Sequence, residues 1–240
     1  MERKRVIIVG ASSGIGHAIA CKYVERGWRV GITGRRLELL NGLREQHPQQ
    51  VVISCFDVTG SENHQRIGDL IGRLDGLDLL VYSAGCGEPS EELDLHAEDI
   101  TTRTNVLGFV SIAGYAFDYF VRQGYGQLAV LSSVAALRGN SQAPAYSASK
   151  AYMSIYAEGL NLKAGQLGKD IVVTDIRPGF VNTKPARGNR RFWVAPVAKA
   201  AAQIVSAIDR KKRVVYITRR WWLVVRLFKL IPFWLYRRVT

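Results

Sequence analysis

At 240 residues, 48% hydrophobic and 22% charged, the chain can bury a full core as one large α/β domain, which excludes disordered and disulfide-scaffold classes. Its three cysteines, Cys21, Cys55 and Cys86, are scattered, odd in number and without metal-ligand spacing; we expect three buried thiols, a reducing compartment and no metal site. The net charge of +13 is concentrated at one end, because residues 210–240 hold ten Lys or Arg and no acid, leaving +3 for the first 209 residues.

In chain order, the basic lead-in Arg3-Lys4-Arg5 runs into Val6-Ile7-Ile8-Val9. That apolar run is too short for a signal peptide and predicts a first strand. Further apolar, β-branched runs predict strands at 29–33, 51–55, 77–82, 127–132, 171–176 and 214–218. Amphipathic stretches between them predict helices at 14–26, 37–46, 62–73, 99–123, 145–167 and 196–209. Continuous apolar strands alternating with helices indicate a single-domain, Rossmann-type doubly wound parallel sheet with helices on both faces. Ligands in such sheets bind beyond the C-terminal strand ends. No repeat or linker marks a second domain, and we divide the chain into a catalytic unit, 1–218, and a basic aromatic tail, 219–240.

Directly after the first strand comes Gly10-Ala11-Ser12-Ser13-Gly14-Ile15-Gly16. Gly10 permits a tight turn, Gly14 lets the backbone approach a pyrophosphate, and Gly16 allows close helix–strand packing. The helix that follows offers unpaired amides and a positive dipole end to phosphates. After the second strand, Thr33-Gly34-Arg35-Arg36 puts arginines, and no acid, where an adenosine ribose should lie. Arginine there holds a 2′-phosphate, which favours NADP(H) over NAD(H).

Tyr146 and Lys150 stand four residues apart, on one face of the predicted helix 145–167, with Ser132-Ser133 upstream. A free phenol titrates near pH ~10 and is a poor acid or base at neutral pH until a cation stabilises its phenolate. The spacing suits proton transfer to or from a ketone or alcohol. The plainer reading is a half-buried tyrosine beside a solvated lysine.

Together these motifs resemble the short-chain dehydrogenase/reductase family over nearly all of residues 5–218. Residues 10–16 resemble its cofactor turn, with Ser12, Ser13 and Ile15 in the phosphate-binding set. Asp57-Val58 resembles its adenine-contacting pair, and Ser83-Ala84-Gly85 its Asn-Ala-Gly element. Asn105, Ser133, Tyr146 and Lys150 match its catalytic residues, and Pro178-Gly179, Val181 and Thr183 its nicotinamide-carboxamide segment. Val9 and Ser83 depart from the usual threonine and asparagine, which bears on local rigidity. The resemblance implies interconversion of a ketone and a secondary alcohol, with Tyr146 as proton donor or acceptor. Lys150 is implied to lower the phenol's pKa and bind the nicotinamide ribose, Ser133 to hydrogen-bond the reacting oxygen, and Asn105 to hold a water. It also implies a homodimer or homotetramer. A catalytically silent dinucleotide-binding regulator of the same fold is the alternative.

The segment 184–194 carries Lys184, Arg187, Arg190 and Arg191 beside Phe192 and Trp193, suited to clamp an anionic, apolar substrate or else to solvate as a loop. The tail is mostly apolar, but Arg226, Lys229 and Pro232 interrupt it, so it is not expected to span a membrane. At helical period Arg219, Arg226 and Lys229 fall opposite Trp221, Trp222, Val225 and Phe228, the layout of a helix lying in an anionic membrane surface. The competing account is a partner subunit covered by the tail. Aliphatic bulk argues against nucleic acid. We therefore expect a cytoplasmic protein, peripheral on the inner face of the membrane, acting on a hydrophobic or lipid-like carbonyl.

Overall fold

The computed structural model describes residues 3–87, 89–183 and 193–238, and at residues 228 and 229 the backbone alone. Strand β1 (Arg5–Val9) shows why its sequence is uninterruptedly apolar: Val6 to Val9 are each fully buried, and they face two different layers. Val6 and Ile8 join the layer packed under helices α1 (Gly14–Glu25), α2 (Leu37–Gln46) and α7 (Val197–Asp209). Ile7 and Val9 join the opposite layer, under α3 (Asn63–Leu74), α5 (Gly108–Gln123) and α6 (Pro144–Gln166). Each such aliphatic side chain contributes about 1.5–3 kcal/mol by leaving water.

β1 pairs in parallel with β2 (Arg29–Gly34) on one side and β4 (Leu79–Tyr82) on the other. With β3 (Val51–Cys55), β5 (Tyr125–Leu131), β6 (Asp170–Pro178) and β7 (Val214–Ile217), the sheet runs β3-β2-β1-β4-β5-β6-β7, all parallel. The expected doubly wound architecture is the one found. Its strand order reverses between β1 and β4, which opens a crevice at their C-terminal ends.

Three local expectations need correction. The helix predicted at 99–123 begins earlier, as α4 (Leu95–Thr102), because the Asp94 carboxylate caps the amides of His96 and Ala97 at 3.0 and 3.1 Å. It reaches α5 only through a π-helical turn, Arg103–Leu107. Nor are all three thiols buried: Cys55 is exposed, since it ends β3 at the open edge of the sheet, and Cys21 and Cys86 are half-buried.

In the tail, α8 (Trp221–Leu230) and α9 (Phe233–Tyr236) follow β7. Trp221 and Val225 are buried, but Trp222 does not lie opposite Arg226 as projected. The Arg226 guanidinium sits 3.9 Å over the Trp222 ring, as their four-residue separation on a helix requires. The projected positions of the Phe228 and Lys229 side chains lie outside the described residues, as do Lys184, Arg187, Arg190, Arg191 and Phe192 of the expected clamp. Among the described residues no helix is long and apolar enough to cross a membrane.

Candidate active site and dinucleotide crevice

The glycine turn occupies the end of β1. Gly10 and Gly14 hold φ of 86° and 61°, which side-chain-bearing residues rarely adopt, and a Cβ on Gly10 would lie 2.6 Å from the Ala84 nitrogen. The amides of Gly10 and Ala11 both donate to the Thr33 carbonyl, at 3.1 and 2.8 Å, tying the turn to β2. Ser13 caps α1 by position only, with no side-chain cap bond. The Arg36 guanidinium instead donates to the Ser12 and Ser13 hydroxyls, at 2.9 and 2.7 Å. The first-turn amides of α1 lack intrahelical partners.

The two arginines after β2 therefore differ. Arg36 braces the glycine turn, whereas Arg35 is 70% exposed and stands 3.6 Å from the Asp57 carboxylate. Burial raises the Asp57 pKa, but hydrogen bonds from the Thr59 amide and hydroxyl, with Arg35 nearby, outweigh it and hold the carboxyl below its usual range. Val58 and Val181 bury their side chains in the two core layers, and Ile15 packs partly against one. Thr183 closes the turn from the far side, its methyl 3.3 Å from where a Gly14 Cβ would stand.

Asn105 sits within the π-helical turn and is fully buried. Its Nδ2 donates to the Cys86 carbonyl (2.7 Å) and to Ser149 Oγ (3.0 Å), and its Oδ1 accepts from the Cys86 amide (3.0 Å). Both N–H donors are spent joining the segment after β4 to α6, which leaves one Oδ1 lone pair for a water. A Cβ on Gly85 would meet Asn105 Oδ1 at 3.2 Å and Lys150 Nζ at 3.1 Å, tight enough that one of them would have to shift.

The serine pair divides cleanly. Ser132 donates to the Asp175 carboxylate and lies 3.1 Å from the Ile176 carbonyl, a structural role. Ser133 is extended and buried; its Oγ accepts from the Ala135 amide (3.1 Å), reaches the Pro178 carbonyl (3.5 Å) and lies near enough to Tyr146 to pull the phenol's pKa down. Tyr146 lies in the first turn of α6, where Pro144 starts the helix and the Glu98 carboxylate of α4 accepts from the Ala145 amide at 2.9 Å. Lys150, one turn on, is buried; its Nζ donates to the Leu131 carbonyl (2.9 Å), contacts Met153 Sδ (3.5 Å) and lies 5.8 Å from the Tyr146 ring centre.

Burial pushes the Lys150 pKa down to about 8, against the opposing pull of Cys86 and Asp175. The Tyr146 phenol is raised by burial, partly offset by Ser133. The expected lowering by Lys150 does not appear, the ammonium donating to the Leu131 carbonyl. Ser133, Tyr146, Lys150 and Asn105 nonetheless converge with Gly85 at the same C-terminal end of the sheet as the glycine turn. Positive-φ glycines, free helix amides and two arginines fit a dinucleotide's phosphates.

The family model described as short chain dehydrogenase matches residues 4–192. The chain belongs to that family. A "probable NADP-dependent dehydrogenase" of Haemophilus influenzae is 30% identical, the match covering 75% of this chain and 72% of that protein. The "11-beta-hydroxysteroid dehydrogenase 1A" of Arabidopsis thaliana is 31% identical over 95% of this chain and 72% of its own. The crystal structure of a short-chain dehydrogenase from Streptomyces avermitilis superposes with a TM-score of 0.80 at 26% identity, covering 90% of this chain and 88% of that one.

This short chain dehydrogenase also uses residues that sequence reasoning passed over. Asp175, buried to 2%, accepts from Ser132, from Ser154 Oγ (2.6 Å) and from Arg177 Nε (2.6 Å), fixing β5, α6 and β6 behind Lys150. A carboxylate inside an apolar strand was the available signal. Gly87, at φ 146°, lies so close to the Tyr146 ring that a Cβ would overlap it; nothing in its sequence neighbourhood marks that.

Proposed function

We propose that this oxidoreductase reduces a ketone to a secondary alcohol with NADPH, on a hydrophobic or lipid-like substrate. The observation that carries the reading is the meeting of Ser133, Tyr146 and Lys150 at the crevice that also holds the glycine turn. The nicotinamide dinucleotide, when bound, supplies the hydride. The chain's own part is to hold the carbonyl oxygen by a Ser133 hydrogen bond and to deliver the Tyr146 phenolic proton to it as it becomes an alkoxide. Lys150 supplies positive charge beside the phenolate left behind. Asn105 fixes the segment after β4 against α6, and its spare lone pair holds a water for reprotonation.

Support for NADPH comes from Arg35 and Arg36, with Asp57 paired to Arg35, and from the Haemophilus relative's name. The Arabidopsis relative's name, a hydroxysteroid dehydrogenase, supports an apolar substrate. Residues 1–218 form the catalytic unit in this reading. Exposed Leu107, Tyr152, Ile155 and Leu162 support self-association as a homodimer or homotetramer. The tail, 219–240, serves an anionic membrane surface on the cytoplasmic side.

Oxidation of NADPH by a ketone panel tests the reading. Turnover is expected with NADPH, and Arg35→Asp should raise the KM for NADPH by about tenfold or more while changing that for NADH far less. Tight NADPH binding without turnover would assign the chain to a silent regulator. Equal effects of Arg35→Asp on both cofactors would remove the arginine from its role.

A further inference from the structure

The tail has two faces with different chemistry. Inward, the Trp221 indole fills the space over Gly179, where any Cβ would overlap it, and meets Phe180 edge-on at 5.4 Å. Farther along, Arg138 Nη1 donates to the Ile231 carbonyl (2.6 Å), and its guanidinium lies 4.1 Å over the Tyr236 ring. The Tyr236 hydroxyl donates to the Gly139 carbonyl at 2.7 Å. Gly179 and Phe180 directly follow β6, and residues 134–139 directly follow Ser133. α8 and α9 thus bridge both borders of the cleft beside Ser133, within one chain.

Outward, Leu223, Leu227, Leu230, Phe233 and Trp234 are between 60% and 79% exposed. Leaving such side chains in water forfeits about 1.5–3 kcal/mol each. Exposed Arg226, Arg237 and Arg238 stand among them, and Arg226 lies at ring height on Trp222. A second copy on this face would set Arg226, Arg237 and Arg238 against their own copies, with no acid from 210 to 240 to offset them. A nucleic acid would meet the charge and leave the leucines wet. An anionic bilayer satisfies both, burying the aliphatics while guanidinium and indole groups stay at headgroup level.

We propose that α8 and α9 form one device, a wall of the substrate cleft on the inside and a docking face for an anionic bilayer on the outside, so that an apolar ketone passes from membrane to cleft without crossing water. The substrate half rests on the reductase reading; the docking half stands apart from it.

The test uses the full chain and a variant carrying Leu223→Ser, Leu227→Ser, Phe233→Ser and Trp234→Ser. Two activities are measured: reduction of a small water-soluble ketone, and of a long-chain ketone embedded in phosphatidylcholine–phosphatidylglycerol vesicles. The wild-type chain should sediment with these vesicles and far less with phosphatidylcholine alone. The variant should lose sedimentation and embedded-ketone reduction by about tenfold or more, yet keep soluble-ketone activity within about twofold. A variant that reduces the embedded ketone like wild type, or a wild type that stays in the supernatant, overturns the proposal. So does a wild type that the variant merely dissociates into smaller species without any vesicle binding. If neither ketone is reduced by wild type, the reductase reading fails together with the substrate half, while sedimentation still decides docking. Should the variant lose soluble-ketone activity too, Arg226→Glu with Arg237→Glu replaces it, and unchanged sedimentation of that chain overturns the docking face.

Discussion

Lys150 is enclosed by its own fold, and its amine is committed to a β5 carbonyl and a methionine sulfur. That burial holds its pKa down at about 8 in the folded chain, against 10.5 for the free side chain. Below pH 8 the group is charged in both states and the penalty is constant. Between pH 8 and 10 the folded chain sheds the proton that the unfolded chain keeps, so stability rises with pH. Compared with Lys150→Met, wild type should gain on the order of 2–3 kcal/mol across that window in denaturant titrations; a pH-independent difference would contradict it. The four-residue spacing of Tyr146 and Lys150 was legible because a helix imposes it. The direction of the amine was not, since its partner is a carbonyl on another element. The Ser132–Ser133 pair was split for the same reason, by Asp175 more than forty residues away.

Elements were legible where one physical cause dominated. Fully buried parallel strands write themselves as β-branched runs, and the turn after β1 as glycines at positive φ. The π-helical turn that carries Asn105 was hidden, because Arg103-Thr104-Asn105-Val106-Leu107 reads as ordinary helix and the extra residue shows only in its hydrogen bonding. Asp175 shows what β6 gives up in hydrophobicity to fix its neighbours: its side chain is 4% exposed and faces Arg177, 15% exposed, at 2.6 Å. Asp175→Asn leaves that guanidinium without its charge partner, a loss of about 3–5 kcal/mol for a buried pair. For a chain of this size the melting temperature should fall by about 6–15 °C. A thermal melt shifted by only a degree or two would show that the network contributes specificity and little stability.

At the scale of the whole molecule, charge and chemistry are separated. A nearly neutral body carries the crevice, and the basic tail folds back along its rim. Composition announced the tail's basicity. That Trp221 belongs to the core while its neighbour Trp222 faces out could come only from the packing. Ketone reduction at this crevice depends on the Tyr146 hydroxyl moving a proton to the substrate, and its most direct test is Tyr146→Phe, assayed for ketone turnover beside NADPH affinity. Loss of the phenolic proton should lower kcat by about 10²–10⁴-fold with the NADPH Kd nearly unchanged. Turnover close to wild type in that variant would contradict it.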